Sequence, residues 1–523
     1  SALFTLIFLY QLAYTKIFQE DLFNVISNYS YGWFSGILVY ALTCGITFFL
    51  PALIMGILFP ILNELYFDQS HEPPGKSVSN IYVINSAGSI AGALATGFIL
   101  IPAMGIKGSI LLLACINFLI AAVFILKSKH KNPFAWVGGG MAFGLLVIFS
   151  LQGKFLSSKE ELKNDKVVFY KEGLSATVKV YQQKNDLNMS IDGMEIASTS
   201  NAFLQKERLI AHLPFFIRPQ IQNVLSVGLA SGISTASIAE HESVKKIDCV
   251  ELVKPVFEAS TFFSAYNNNV QKNPKVNLVH NDIYAFLKFN PSTYDLISSD
   301  GKLGTLDNAN TTMLSDDYYH QCKMRLNPGG LFIQWIPLIT PNSSFELILQ
   351  TLKHSFQHVS IFYFYPSDVF MVASEEPFSL NLQQMNRVMQ DSSVRAELTS
   401  LGFGKASNIM CSYIGDYENT NKAIQLNTMD RPLLEFWFYR DWKKGNAYEG
   451  GYRAANLGFL VNNFQKQEAE ALRIYQGFPN ESYAKGIFNS SLNFYQFCVM
   501  NFKNGNYEKG LEEYNLFRSS IPF

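Results

Sequence analysis

Four places where a strand pattern ends carry residue types able to hold a nucleoside. The segment VLSVGLASGIS (224–234) reads as a strand, a glycine-containing turn and the start of a helix. Gly228 and Gly232, with Ala230 and Ser231 between them, would let backbone N–H groups approach a nucleotide or an amino-acid carboxylate at a helix N-terminus. The next strand pattern ends at Glu251, where a carboxylate can accept hydrogen bonds from both hydroxyls of a ribose. The third ends in His280-Asn281-Asp282-Ile283, which sets an acid where an adenine amino group could donate to it, and the fourth runs out at Asp300. Taken singly, Glu251 or Asp282 is most simply a solvated strand-end carboxylate, and a glycine turn alone is a weak sign. Together they fall at consecutive strand ends, which in an open α/β sheet face one crevice.

The elements that must position them follow from periodicity. Short apolar runs at 224–228, 247–251, 276–280, 294–298, 331–335, 360–364 and 369–373 alternate with helical patterns, which predicts βαβ units and a mostly parallel, Rossmann-type sheet. Ahead of them ATVKVY (176–181) and LNMSI (187–191), followed by Asp192-Gly193, predict a small antiparallel β element. Beyond about 380 the pattern is helical. Its last part holds two helices separated by Lys503-Asn504-Gly505-Asn506, and the Gly-x-Tyr opening of the second resembles half of a tetratricopeptide unit. One such unit does not make an array, so it reads as a capping hairpin that docks a partner.

Composition separates this soluble part from what precedes it. Of 523 residues 48% are hydrophobic and 16% charged, with 44 Phe, against about 25% charged in an average soluble chain. Apolar runs gather before residue 152: the chain begins inside one at 3–14, and those at 31–65, 81–104, 108–126 and 133–151 are long enough to cross a bilayer, which predicts a multi-span membrane domain. Pro51 offers a kink or a break in the second run. Gly88 and Gly92 stand in GxxxG spacing, suited to helix packing within the chain or to a dimer seam. No acid or base sits mid-span, which argues against an ion-coupled transporter. Lysines flank the last run on both sides, and the larger downstream group places the soluble part in the cytoplasm of a bacterial-type inner membrane. The net charge of −1 makes nucleic acid a poor partner, and the six scattered cysteines show no metal-ligand spacing. The expected division is 1–151 membrane domain, 152–222 linker and β element, 223–380 Rossmann-like catalytic domain and 381–523 helical extension.

The segments FYKEGLSATVKVY (169–181), SIDGMEIAST (190–199), LIAHLPFF (209–216), VLSVGLASGIS, KIDCVEL (246–252), YDLISSDG (294–301), LSDDYYHQCKMRLNPGGLFIQWIPL (314–338) and NTMDRPLLEF (427–436) resemble the spermidine synthase (polyamine aminopropyltransferase) family, in its membrane-fused branch. The resemblance implies decarboxylated S-adenosylmethionine or S-adenosylmethionine as co-substrate, no tightly bound cofactor, and an amine acceptor. The ligand would be held by Gly228, Ala230, Ser231, Gly232, Glu251, Asp282 and Ile283, and Asp300 would stand at the family's catalytic aspartate. Where the family carries a Gln, an Asp-Glu pair and a Tyr, this chain has MEIASTSNAFLQKERLIAH (194–212), with Lys206 near the place of the Tyr and only Glu195 and Glu207 as local acids. Lys302 follows Asp300 in SDGKLGTLDNAN (299–310). His212, before Leu213-Pro214 on an apolar face, reads as a core buttress. These departures keep a second expectation open: a catalytically degenerate scaffold whose membrane and helical regions dock the subunits of a membrane complex.

Overall fold

The computed structural model describes residues 33–70, 73–127, 138–140, 165–300, 311–418, 425–442 and 449–521. The chain divides into two compact units, Ser1–Lys184 and Asn185–Phe523.

The first unit holds α1 (Trp33–Ser70), α2 (Pro74–Ala95), which continues through a π-helical turn at Thr96–Leu100, and α3 (Ile101–Lys127). The expected break at Pro51 is absent, since α1 is one element across it; a proline removes a single N–H, and the flanking turns carry the helix past it. Gly105, at φ 76°, does break the path near the start of α3. There the Ile106 N–H donates to Glu172, which also accepts from the Tyr170 hydroxyl, so the donor freed by the kink is satisfied. A side chain at Gly105 would run into that carboxylate at 3.2 Å. Two stretches, Pro74–Ile106 and Gly108–Lys127, are long and apolar enough to cross a membrane. Two such stretches do not show the expected multi-span domain; the run at 3–14, and that at 133–151 apart from 138–140, lie outside the described residues. Apolar side chains along these helices face outward, with Phe49 67%, Phe98 68% and Leu126 69% exposed. Strands β1 (Lys166–Glu172) and β2 (Thr177–Gln183) pair antiparallel.

The second unit opens with the hairpin β3 (Asp186–Ile191) and β4 (Met194–Ser198), turned at Asp192 and Gly193, which both take positive φ. Helix α4 (Asn201–Ile217) follows, and from Leu204 onward most of its residues are buried. Then β5 (Asn223–Val227), α5 (Ile233–Glu240), β6 (Lys246–Glu251), β7 (Val276–His280), α6 (Ile283–Phe289), β8 (Tyr294–Ser299), α7 (Asp316–Met324) and β9 (Leu326–Pro337) alternate. After α8 (Asn342–Ser355), β10 (His358–Phe364) and β11 (Asp368–Ser374) form a hairpin, and β12 (Tyr413–Asp416) adds an outer strand. The eight-stranded sheet has the order β12-β10-β11-β9-β8-β5-β6-β7. Strands β7, β6, β5, β8 and β9 run parallel, and β11, β10 and β12 are added antiparallel. Val224, Leu225, Leu296, Ile297, Leu331, Phe332 and Ile333 are fully buried, as continuous apolar runs must be in strands covered on both faces. The strand order reverses between β5 and β8, the place where open α/β sheets bind ligands, at the carboxyl ends of the strands.

The C-terminal part packs onto the second unit through α9 (Ser392–Ser400), which lies against α4 and α5, α10 (Glu449–Lys466), which lies against β12, α11 (Glu481–Asn504) and α12 (Tyr507–Ser520). Helices α11 and α12 form the expected hairpin, with Gly505 as left-handed cap at φ 72°. Aromatic stacking closes its inner face: Phe494 lies parallel to Phe517 at 4.6 Å and to Tyr514 at 5.2 Å.

Candidate functional site

The candidate site is built from the turn after β5. Gly228 (φ 85°) and Gly232 (φ 80°) adopt left-handed backbone, and so does Ala230 at φ 46°. The two glycines have different reasons. A side chain at Gly232 would strike Val270 at 2.8 Å, whereas one at Gly228 would meet no protein atom within 4 Å. Gly228 therefore borders open space where a ligand can come against the backbone. Ser231 is fully buried; its hydroxyl donates to Glu207 at 2.6 Å and its carbonyl accepts from Asn267.

Glu251, at the end of β6 and 8% exposed, accepts from the Leu229 N–H at 2.9 Å through Oε2 and from the Val253 N–H at 2.8 Å through Oε1. It thus fixes the glycine turn to the neighbouring strand end. An ionised carboxylate has about four acceptor sites, so two hydrogen bonds leave capacity for hydroxyl donors of a ligand. Asp282 is exposed and caps α6, its Oδ1 accepting from the Ala285 N–H at 2.9 Å, with Ile283 as the first helical residue. These acids and the Gly228–Gly232 turn share the carboxyl edge of β5, β6 and β7, as the sequence reading expects.

Asp300, directly after β8, is committed to a partner. Its Oδ2 lies 2.6 Å from the Lys206 ammonium, in an ion pair whose side chains are 19% and 4% exposed. Lys206 also lies over the Trp335 ring at 4.8 Å and the Phe203 ring at 5.6 Å. Burial pulls the lysine pKa down, but the charges of Asp300 and Glu207 outweigh it and hold the ammonium above its ordinary value. Asp368, at the start of β11, closes the cluster: it accepts from Trp335 Nε1 at 2.9 Å and from Gln205 Nε2 at 3.2 Å. Burial pushes its carboxyl up to about 6, against the pull of those two donors and of Lys206. The first turns of α4 thus send three consecutive side chains to three anchors: Gln205 to Asp368, Lys206 to Asp300, and Glu207 to Ser231 of the glycine turn.

His212 is a buttress in this fold. It is fully buried and bridges His241 at 3.0 Å and Glu397 at 2.9 Å, away from the strand-end acids. The sequence reading misses Gln205, Trp335 and Asp368 altogether. The one signal for Asp368 is an acid between two largely apolar strand runs, where a buried charge needs a partner. Among the described residues no group of three or more His, Cys, Asp or Glu could hold a metal ion.

Residues 203–377 match the family described as Spermine/spermidine synthase domain. The chain carries a spermidine synthase-like domain. The domain is similar to the polyamine aminopropyltransferase of Buchnera aphidicola, 28% identical over 201 residues that cover 38% of this chain and 69% of the relative. It is also similar to those of Alkaliphilus metalliredigens, 27% identical over 28% of this chain and 50% of the relative, and of Mycobacterium tuberculosis, 23% identical over 53% and 55%. The chain thus spans about half to two thirds of the curated relatives it matches. Among solved structures it is similar to spermidine synthase from Thermotoga maritima, 17% identical over 40% of this chain and 73% of that one, with a TM-score of 0.34. A spermidine synthase in complex with the transition-state analogue AdoDATO covers 55% of this chain at 14% identity and a TM-score of 0.36. The synthase-like domain takes in α4, the glycine turn, all four strand-end positions and the β10–β11 hairpin.

Proposed function

We propose that the synthase-like domain holds an S-adenosyl nucleoside across the carboxyl edge of β5, β6 and β7 and transfers its aminopropyl or methyl group to an amine. The observation that carries this reading is the stitched turn: Gly228 bordering open space, with Glu251 tied to the Leu229 N–H beside it. Glu251 would accept the ribose hydroxyls and Asp282 the adenine amino group, with Ala230, Ser231, Gly232 and Ile283 shaping the walls. The sulfonium nucleoside supplies an activated carbon. An amine lone pair forms the new C–N bond as the C–S bond breaks, its electrons passing to sulfur, and the amine proton leaves toward Asp300 or water. Positioning of the two reactants supplies much of the acceleration.

The whole chain, purified in detergent, is to be titrated calorimetrically with S-adenosylmethionine, its decarboxylated form and methylthioadenosine. Saturable binding of at least one is expected, weakened tenfold or more by Glu251→Gln. No heat and no thermal shift with any of the three would sink the reading.

One observation favours a second reading. The Lys206–Asp300 ion pair occupies the carboxylate the transfer would use, which is what a domain kept as the scaffold of a membrane complex would tolerate. Nucleoside binding without turnover for any amine would support the scaffold. The apolar stretches 74–106 and 108–127 are suited to anchoring either form in a bilayer, multi-pass and with the domain on the cytoplasmic side where adenosyl donors are made.

A further inference from the structure

A ligand ammonium buried beside a transfer site needs carboxylates to replace its lost hydration and aromatic faces to pack its stem. Lys206 already has that environment. Asp300 is in contact with it at 2.6 Å, Trp335 and Phe203 wall it at 4.8 and 5.6 Å, and Glu207 and Asp368 add their charge. The side chain is 4% exposed, and its neighbours Gln205 and Glu207 are each tied down, to Asp368 and the Tyr365 carbonyl on one side and to Ser231 on the other. The segment cannot swing away without breaking those bonds.

We propose that Lys206 is a resident cation in the acceptor position, so that the synthase-like domain rejects free alkyl diamines although its carboxylates would suit them. The proposal rests on the reading that Asp300 marks the point of transfer, and it narrows that reading: whatever amine this chain takes is not a free diamine. A second ammonium brought to Asp300 would meet Lys206 at contact distance and find the carboxylate shared. The lysine is not itself the nucleophile, because an ammonium held in its protonated form has no lone pair to offer.

The test is titration of the full chain in detergent with 1,4-diaminobutane, with and without saturating methylthioadenosine, for the wild type, Lys206→Met, Lys206→Gln and Lys206→Arg. The wild type and Lys206→Arg are expected to show no diamine binding up to millimolar concentration. Lys206→Met, which removes the charge and keeps an unbranched stem, should gain it by at least tenfold, and Lys206→Gln serves where the Met variant loses its circular dichroism signal. Methylthioadenosine affinity should be the same in all four proteins. Diamine binding by the wild type as tight as by the variants overturns the proposal, and so does a folded Met or Gln variant that gains none. Loss of methylthioadenosine binding in the wild type instead removes the nucleoside reading, and the diamine comparison without nucleoside still decides the role of Lys206.

Discussion

At the scale of single residues, the site departs from what its neighbours would prefer at two positions. Ala230 sits at φ 46°, where a Cβ costs roughly 1–2 kcal/mol. Ala230→Gly should relieve that cost, and after the extra chain entropy of glycine the folded state should gain about 0.5–1 kcal/mol. A urea melt of the two proteins checks it; a less stable glycine variant would mean that the methyl group packs usefully in the turn. Asp368 is the second case. Its carboxyl is raised from 3.8 to about 6, so between those values the folded chain binds a proton that the unfolded chain has released. Its contribution to stability is therefore intact below about pH 4, falls as pH rises to about 6, and is lost above, a swing of up to about 3 kcal/mol. Asp368→Asn should flatten this segment of the stability–pH curve, measured as the difference between variant and wild type in denaturant midpoints from pH 4 to 7. Parallel curves would remove Asp368 from the titration. Neither residue's strain is legible from sequence, because it depends on a backbone angle in one case and on burial by the surrounding fold in the other.

Helices and strands set these residues in place, and the element that does most of it is α4. One end carries Gln205, Lys206 and Glu207 into the candidate site; the middle carries His212, which joins α4 to α5 and α9. Glu397 of α9 lies 2.9 Å from His212 Nε2 and accepts from Ser237 of α5 at 2.6 Å. His241 completes the chain, stacked on Phe215 with ring centroids 3.5 Å apart. Burial pushes the Glu397 carboxyl up, but the hydrogen bonds from His212 and Ser237 and the charge of Arg208 prevail and hold it below its ordinary value. The stability it contributes is then present above the unfolded carboxylate pKa and lost as pH falls through the folded one. Glu397→Gln should cost about 1–3 kcal/mol near neutral pH and less in acid, read from urea melts at pH 7 and 4. An equal loss at both would mean that the charge plays no part. The parallel strands were legible because each is a short, mostly apolar run closed by polar residues. The edge strand β12, four residues long, and the contact of α9 with α4 were not: His212 and Glu397 meet from positions 185 apart in sequence, and nothing local announces it.

For the whole molecule, two solvents are implied by one chain. In the second unit the apolar side chains are gathered into one large cluster beneath and above the sheet, whereas in the first unit Phe49, Phe98 and Leu126 expose about two thirds of their surface. Burying such side chains fully is worth roughly 1.5–3 kcal/mol each, so leaving a row of them in water along three helices would favour aggregation, and the proposed bilayer anchoring would cover them. Hydropathy needs no tertiary knowledge, so the runs at 81–104 and 108–126 were legible in the sequence, and they fall in Pro74–Ile106 and Gly108–Lys127, the two stretches long and apolar enough to cross a membrane. The full chain should accordingly remain in the membrane pellet after an alkaline carbonate wash and be released only by detergent. Replacing Phe98 and Leu126 together by Lys should shift a measurable fraction to the wash or to insoluble aggregate, since each lysine would cost up to about 3 kcal/mol at the centre of a span and less toward its ends. Release of the unaltered chain by carbonate would leave the outward-facing phenylalanines and leucines to be covered by another protein instead of lipid.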